Sequence, residues 1–357
     1  MKASKLDFNG QSIYVGFDVH LKSWTVTIMT DHLTHKTFSQ PPKPQVLHQY
    51  LLNHFPGGTY HSAYEAGFCG YWIHNSLKSL GIHSMVVNAA DIPTTHKEKC
   101  QKEDSRDSRK IARSLKNGEL KPIHVPSLKT LEDRTLVRMR ATLVKDLAKN
   151  KNRVKSILYF HGIELPEQFV KNKGRWSNRF VKWLEGIEMS EPTGKQALES
   201  LIRASKGLRT LVLDATRQIR QLSKTAAYEQ NVTLLTSIPG IGLITAMVLL
   251  TELETIDRFK NFDHLASFMG LVPTTHSSGE KEITGDITPR TNKLLRSTII
   301  ESSWTAVRHD PALLKSFSEL CKRMEPNKAI IRIARKLLNR IRHVLKNKES
   351  YVCAVVQ

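Results

Sequence analysis

Apolar and polar positions change their period along the chain, and the changes divide it into three stretches. Ser12 to Asp18 (SIYVGFD) is a β-branched and aromatic run, Trp24 to Thr30 (WTVTIMT) alternates, and a third strand takes in Thr37 and Phe38. A helical pattern around Val46 to His54 and a Pro-Gly-Gly turn lead to a fourth strand, Thr59 to Tyr64. A helix over Tyr71 to Leu80 and a fifth strand over Ser84 to Asn88 follow, and from Glu103 the pattern is helical until near Gly118. Strands interleaved with helices predict an α/β layer.

The middle stretch is helical. Leu136, Met139, Leu143, Leu147, Val154 and Ile157 recur at helical spacing between Lys121 and Phe160. A loop-rich stretch from Gly162 to Gly194 contains Pro166, Gly174 and Pro192. Beyond it Leu201, Ser205, Leu208, Val212, Ala215, Ile219 and Leu222 step by four and three. Two such helices joined by a loop predict an antiparallel coiled-coil hairpin, with plain packing in a bundle as the alternative. The last stretch opens on LLTSIPGIGLITAMVLLTEL and closes on a helix from about Asn327 to Asn347, whose apolar face is Ile330, Ala334, Leu337, Leu338, Ile341, Val344 and Leu345. The expected domains are an α/β unit over 1–125, a basic helical coiled-coil region over 126–230 and a mainly helical domain over 231–357.

Charge narrows the partners. The 357 residues carry 54 Lys+Arg against 33 Asp+Glu, a formal charge of +21. Ten Lys/Arg against three Asp/Glu lie between Lys121 and Phe160, and ten against two between Cys321 and Ser350. Such an excess makes nucleic acid the default partner and acidic membrane the weaker one. The longest apolar stretch, Ile241 to Leu250, is interrupted by Gly242 and Thr245 and is too short to span a bilayer, and MKASKLDFNGQS lacks the apolar core of a signal peptide. The expectation is a protein of the cytoplasm, associated with the nucleoid. Cys69, Cys100, Cys321 and Cys353 are far apart and show no zinc spacing, so they read as reduced thiols.

Three constellations carry candidate chemistry. Asp18 ends the first strand, Glu65 ends the fourth, and Asp104 and Asp107 lie three apart on one helical face. Carboxylates from neighbouring strand ends plus a helical pair offer hard oxygen ligands to magnesium, in a ribonuclease H-like arrangement. The bland alternative is a solvated helix face, KEDSRDSRK, paired internally with Arg106, Arg109 and Lys110. Ile238-Pro239-Gly240-Ile241-Gly242 between apolar helices is a helix-hairpin-helix signature, in which Gly240 and Gly242 permit a tight turn and helix-start N–H groups hold a phosphate. The alternative there is a plain helix-helix turn. His276-Ser277-Ser278-Gly279 presents a small hydroxyl on an expected loop, with Arg290, Lys293 and Arg296 nearby to stabilise charge at phosphorus. Ser-Ser-Gly is also an ordinary loop sequence. Trp24, Tyr71, Trp72, Trp176, Trp183 and Trp304 read as core or loop anchors rather than base-stacking groups.

The motifs GFDVHLKSWTV, YEAGFCGYWIHNSL, VVNAADIPTTHKEK with KEDSRDSRKIAR, SIPGIGLITA, SFMGLVPTTHSSGEK and NKLLR resemble, in that order, the DEDD-type insertion-sequence transposases, relatives of the Piv DNA invertases. The resemblance runs from about Tyr14 to Arg296. It implies an N-terminal RuvC-like ribonuclease H fold, a central coiled coil and a C-terminal transposase domain. It further implies that Asp18, Glu65, Asp104 and Asp107 are metal ligands, that Ser278 is the nucleophile, and that a structured bridge RNA guides the enzyme to DNA. Two stretches depart from the family pattern: the flanks of the acidic helix, and Ile287-Thr288-Pro289-Arg290-Thr291-Asn292, which lacks the family's lysine and glycine and leaves Arg290 and Lys293 as the candidates for the phosphate contacts.

The sequence therefore leads to a DNA recombinase that moves its own element, with magnesium beside the scissile phosphate and attack by Ser278. The wide separation of carboxylates and serine implies a composite site and a homo-oligomer, a dimer or tetramer, that a coiled coil would supply. The alternatives are a hydrolytic RuvC-like nuclease, which needs no serine, and a non-enzymatic nucleic-acid-binding protein.

Overall fold

The computed structural model describes residues 7–95, 103–170, 176–278, 281–289 and 291–353, with backbone only over 275–278 and 281–284. The chain divides into two compact units, Met1–Val125 and Pro126–Gln357. The expected boundary at 230 lies inside the second.

The first unit is built on a five-stranded sheet of β1 (Ser12–Val19), β2 (Trp24–Met29), β3 (Thr34–Gln40), β4 (Thr59–Glu65) and β5 (His83–Val87). The strand order is β3-β2-β1-β4-β5. β1–β2 and β2–β3 are antiparallel, while β1–β4 and β4–β5 are parallel. Each of the five strands falls on a stretch that the sequence marks as strand-like. Ile13, Val15 and Phe17 point to one face, where Trp24, Val26 and Ile28 join Leu47 and Leu51 of α1 (Pro44–His54) and Ile73 and Leu77 of α2 (Trp72–Ser79) in a core.

The opposite face carries α3 (Asp104–Lys116), whose Ile111 and Leu115 pack with Ala63 and Val87. Gly16 on β1 is what allows α3 to lie so close. A Cβ there would run into the backbone of Ser108 and Ala112, 2.8 Å from Ala112 Cα. The helix thus lies directly on the sheet centre, with its first turn toward the end of β1. Thr27 and buried Ser108 share a hydrogen bond of 2.9 Å that pins the crossing.

The second unit contains two long helices, α4 (Leu128–Phe160) and α7 (Pro192–Leu222). Arg140 donates to Thr216, and further along α4 Asn150 donates to Ser205 Oγ and Leu201 O, each at 2.7 Å. Partner numbers fall as α4 numbers rise, so the pair is an antiparallel hairpin. Its stripe, including Leu198, Ile202, Ser205, Ala215 and Ile219, is buried within one chain. The predicted coiled-coil hairpin is therefore formed within one chain.

The segment expected to be loop-rich holds two short helices, α5 (Glu167–Val170) and α6 (Asn178–Glu185). Phe169, Phe180 and Leu184 close over Val154, Leu158, Leu198 and Ile202 in a small core. Both helices are too short for their period to register in a sequence window. Ser177 starts α6 by accepting from Phe180 N.

The remainder is α8 (Glu229–Thr236), α9 (Leu243–Leu253), α10 (Phe262–Phe268), the antiparallel pair β6 (Pro273–Ser278) and β7 (Lys281–Ile287), then α11 (Lys293–His309), α12 (Pro311–Cys321) and α13 (Pro326–Asn347). Its core includes Ile238, Leu249, Leu271, Leu295, Ile299, Leu337 and Ile341, and reaches Val137 of α4 and Ile219 of α7. The β6–β7 hairpin replaces the loop expected around Ser278. Its strands are polar and mixed in charge, so backbone pairing rather than an apolar face defines them. Among the described residues no helix is long and apolar enough to cross a membrane.

Candidate active site

Asp18 precedes the last residue of β1, and the parallel register pairs Phe17 with Tyr64, so Asp18 and Glu65 follow on neighbouring strands. Asp104 and Asp107 occupy the first turn of α3. There the unpaired N–H groups and the positive end of the helix dipole favour negative charge. His20 Nε2 stands 3.2 Å from Asp18 Oδ2 and 3.2 Å from Asp104 Oδ2. Ligand atoms of Asp18, His20 and Asp104 all lie within 4.8 Å of one another, close enough that one cation could touch all three. Lys110, buried in the same helix, places Nζ 3.0 Å from Asp107 Oδ1 and 3.9 Å from Glu65 Oε1. Two nitrogen bases thus sit among four carboxylates.

Burial pushes the Asp18 carboxyl above its ordinary value, and the charges of Asp104 and Asp107 push the same way against His20. Those carboxylates are close enough to repel, so a bound cation relieves the site. The carboxylates are hard oxygen donors, which fits a divalent cation, and His20 joins two of them. His20 and Lys110 were not singled out in the sequence. A signal existed for each: His20 is two residues from Asp18, and Lys110 is one helical turn from Asp107.

The remaining candidates fall in the second unit. Ser278 ends β6 and pairs with Lys281, while Ser277 pairs with Glu282. Arg290 lies outside the described residues. Lys293 is exposed at the start of α11, behind an Asn292 cap that accepts from Leu294 N and Leu295 N. Arg296 has a different task from the phosphate contact expected of it. Its Nη1 donates to Thr288 O at 2.6 Å and Gly270 O at 3.2 Å, which ties down the foot of the hairpin.

The two glycines of the IPGIG turn also part company. Gly240, at φ +87°, packs against α11, where a Cβ would collide with Ser302 O and lie 2.8 Å from Ala306 N. It is a packing glycine. Gly242 is exposed and is the N-cap of α9, the position from which helix-start N–H groups point outward.

One network was missed altogether. Glu252, buried in α9, accepts from Arg138 Nε at 2.6 Å, Arg138 Nη2 at 2.7 Å and Asn292 Nδ2 at 2.8 Å. It links α4 and α9 to the residue that caps α11. A lone glutamate in an apolar helix gives no sign of partners so distant in sequence.

With this geometry in view, comparisons with known proteins fix the class. A DEDD transposase profile of the IS110 type matches residues 15–162, and the profile of the IS116/IS110/IS902 transposase family matches residues 232–319. The chain is 29% identical over 252 residues to y4qE of Sinorhizobium fredii, which carries a transposase name, covering 71% of this chain and 60% of that protein. It is 25% identical over 296 residues to the transposase for insertion sequence element IS1111A of Coxiella burnetii, covering 80% and 78%. With the transposase for IS1533 of Leptospira borgpetersenii it shares 25% identity over 262 residues, covering 70% and 72%. The protein is a DEDD-type insertion-sequence transposase, of the class of enzymes that act on DNA. Within that class the chain belongs to the IS110 family.

Proposed function

We propose that the chain is the recombinase that excises and inserts its own insertion sequence, with a RuvC-like ribonuclease H unit as its metal-dependent part. The observation that carries this is the meeting of Asp18 and Asp104 at one nitrogen, with Asp107 and Glu65 sharing Lys110 beside them. The sheet order β3-β2-β1-β4-β5, with α3 over its centre, supports the ribonuclease H reading.

Asp18, Glu65, Asp104 and Asp107 are the residues that would hold magnesium, which when bound supplies positive charge to a DNA phosphate. His20 and Lys110 position those carboxylates. Ser278 is the nucleophile: its Oγ forms a bond to phosphorus as the bond from phosphorus to a deoxyribose oxygen breaks, and the serine proton is released. The phosphoserine linkage conserves the bond energy, so no high-energy cofactor is required for rejoining. DNA of the element ends and the target are the substrates. A structured RNA from the element as guide and a homo-oligomer as the working form complete the proposal, and both rest on the family resemblance.

The test is recombination of element-end DNA by purified protein in magnesium. Asp18→Ala, Glu65→Ala, Asp104→Ala and Asp107→Ala should each abolish product while leaving folding near that of the parent. Normal recombination by any one of them contradicts the four-carboxylate assignment.

A further inference from the structure

A cleft of about 1740 Å³ opens between the foot of the β6–β7 hairpin and α13. Pro273, Gly285, Asp286 and Ile287 form the hairpin side. The helix side carries five cations, Lys328, Arg332, Arg335, Lys336 and Arg340, against the single carboxylate of Asp286 on the opposite wall. Two of the five are occupied. Arg335 pairs with Asp263 at 3.3 Å, donates to Leu271 O and lies over the Phe262 ring, while Arg340 bonds Tyr351 and faces Asp310 at 3.5 Å. The other three are not neutralised: among the described residues Lys328 and Arg332 have no carboxylate partner, and Lys336 bonds only the neutral Ser316 hydroxyl.

Their spacing is regular. Lys328, Arg332 and Lys336 are four residues apart, so they form one exposed row with steps of about 6 Å along α13. That step suits successive phosphates of an extended strand. Beside the row the cleft is apolar, with Ile331, Pro273 and Ile287 exposed enough to receive the flat faces of bases. A row of free cations beside an apolar wall is the combination that holds unpaired nucleic acid.

We infer that this cleft is a binding groove for a single DNA strand, held by its phosphates on Lys328, Arg332 and Lys336 next to the hairpin that ends in Ser278. The choice of DNA rests on the reading of Ser278 as acting on a DNA phosphodiester. The groove itself does not, because binding is measured without cleavage.

The experiment uses the full chain and a fluorescent oligo-dT, with oligo-rU and a DNA duplex as comparisons, titrated over a range of salt. Lys328→Ala with Arg332→Ala removes two exposed cations of the row. Arg323→Ala with Lys346→Ala removes two exposed cations outside the cleft and keeps the same net charge. The groove variant should bind oligo-dT about tenfold more weakly, and its slope of log affinity against log salt should fall by roughly 1.4, the value for two lost strand phosphates. The matched variant should change by less than half as much. Equal losses in both variants, or a loss seen with duplex and not with oligo-dT, would overturn the groove. A greater loss for oligo-rU than for oligo-dT would overturn the assignment to DNA.

Discussion

His20 Nε2 lies 3.2 Å from Asp104 Oδ2, joining the end of β1 to the first turn of α3. The contact exists because Gly16 lets α3 approach the sheet, and it places Asp18 and Asp104 around one point. Fold and chemistry meet at that glycine.

Replacement of Gly16 by alanine tests the dependence. The new methyl group must displace the α3 backbone at Ala112, a clash that no side-chain rotation relieves. Overpacking of this kind costs about 1–3 kcal/mol. Gly16→Ala should lower the thermal midpoint and also abolish the stabilisation given by magnesium. Retention of the full metal response in this variant would show that the carboxylates converge without the close approach.

Asp18 gives a pH prediction with a definite sign. Its carboxyl is raised in the folded chain, first by burial and then by Asp104 and Asp107, so the folded state holds that proton more tightly than the unfolded state. The favourable contribution is therefore present at low pH, below the ordinary carboxylate value, and is lost as pH rises through the raised one. In metal chelator, Asp18→Asn should melt above the parent at neutral pH, and the two should converge in acid. Magnesium at 100 times its Kd should add about 2.7 kcal/mol to the parent and much less to the variant. A variant that is less stable at neutral pH without metal contradicts the electrostatic account.

The buried Glu252 is expected to matter for stability rather than chemistry. Glu252→Ala removes the carboxylate that accepts from Arg138 and Asn292 and stands 3.8 Å from Arg134, and broken buried pairs cost about 3–5 kcal/mol. Denaturant unfolding of the second unit should show that loss. A change below 1 kcal/mol would mean that solvent replaces the network.

Much of this was legible beforehand, and the reasons are physical. β1, β2 and β4 announced themselves because Ile13, Val15, Phe17, Trp24 and Tyr64 face cores, and α13 because its buried face repeats from Ala329 to Leu345. The carboxylates were legible because strand ends and a helical i, i+3 pair place them. β6 and β7 were not, since most of their side chains are polar and no apolar alternation marks them. Arg296 was read as a phosphate ligand because a sequence cannot show which carbonyls a guanidinium will reach. Its two bonds, to Gly270 O and Thr288 O, come from the fold.

That reassignment is itself testable. Arg296→Ala should leave the salt dependence of nucleic-acid binding unchanged while hydrogen exchange quickens at the foot of the β6–β7 hairpin. A reduced salt slope with unchanged exchange would restore Arg296 as a phosphate contact.

The proposed serine recombination supported by four carboxylates requires a covalent protein–DNA intermediate. Protein trapped during reaction with element-end DNA in magnesium should yield an adduct that survives denaturation, with the modified peptide carrying its nucleotide on Ser278. Ser278→Ala should bind nucleic acid as the parent does yet lose adduct and product together, and Ser277→Ala should retain both. Efficient strand cleavage by a variant lacking both serines, with no adduct at any stage, would contradict the account and identify a hydrolytic nuclease instead.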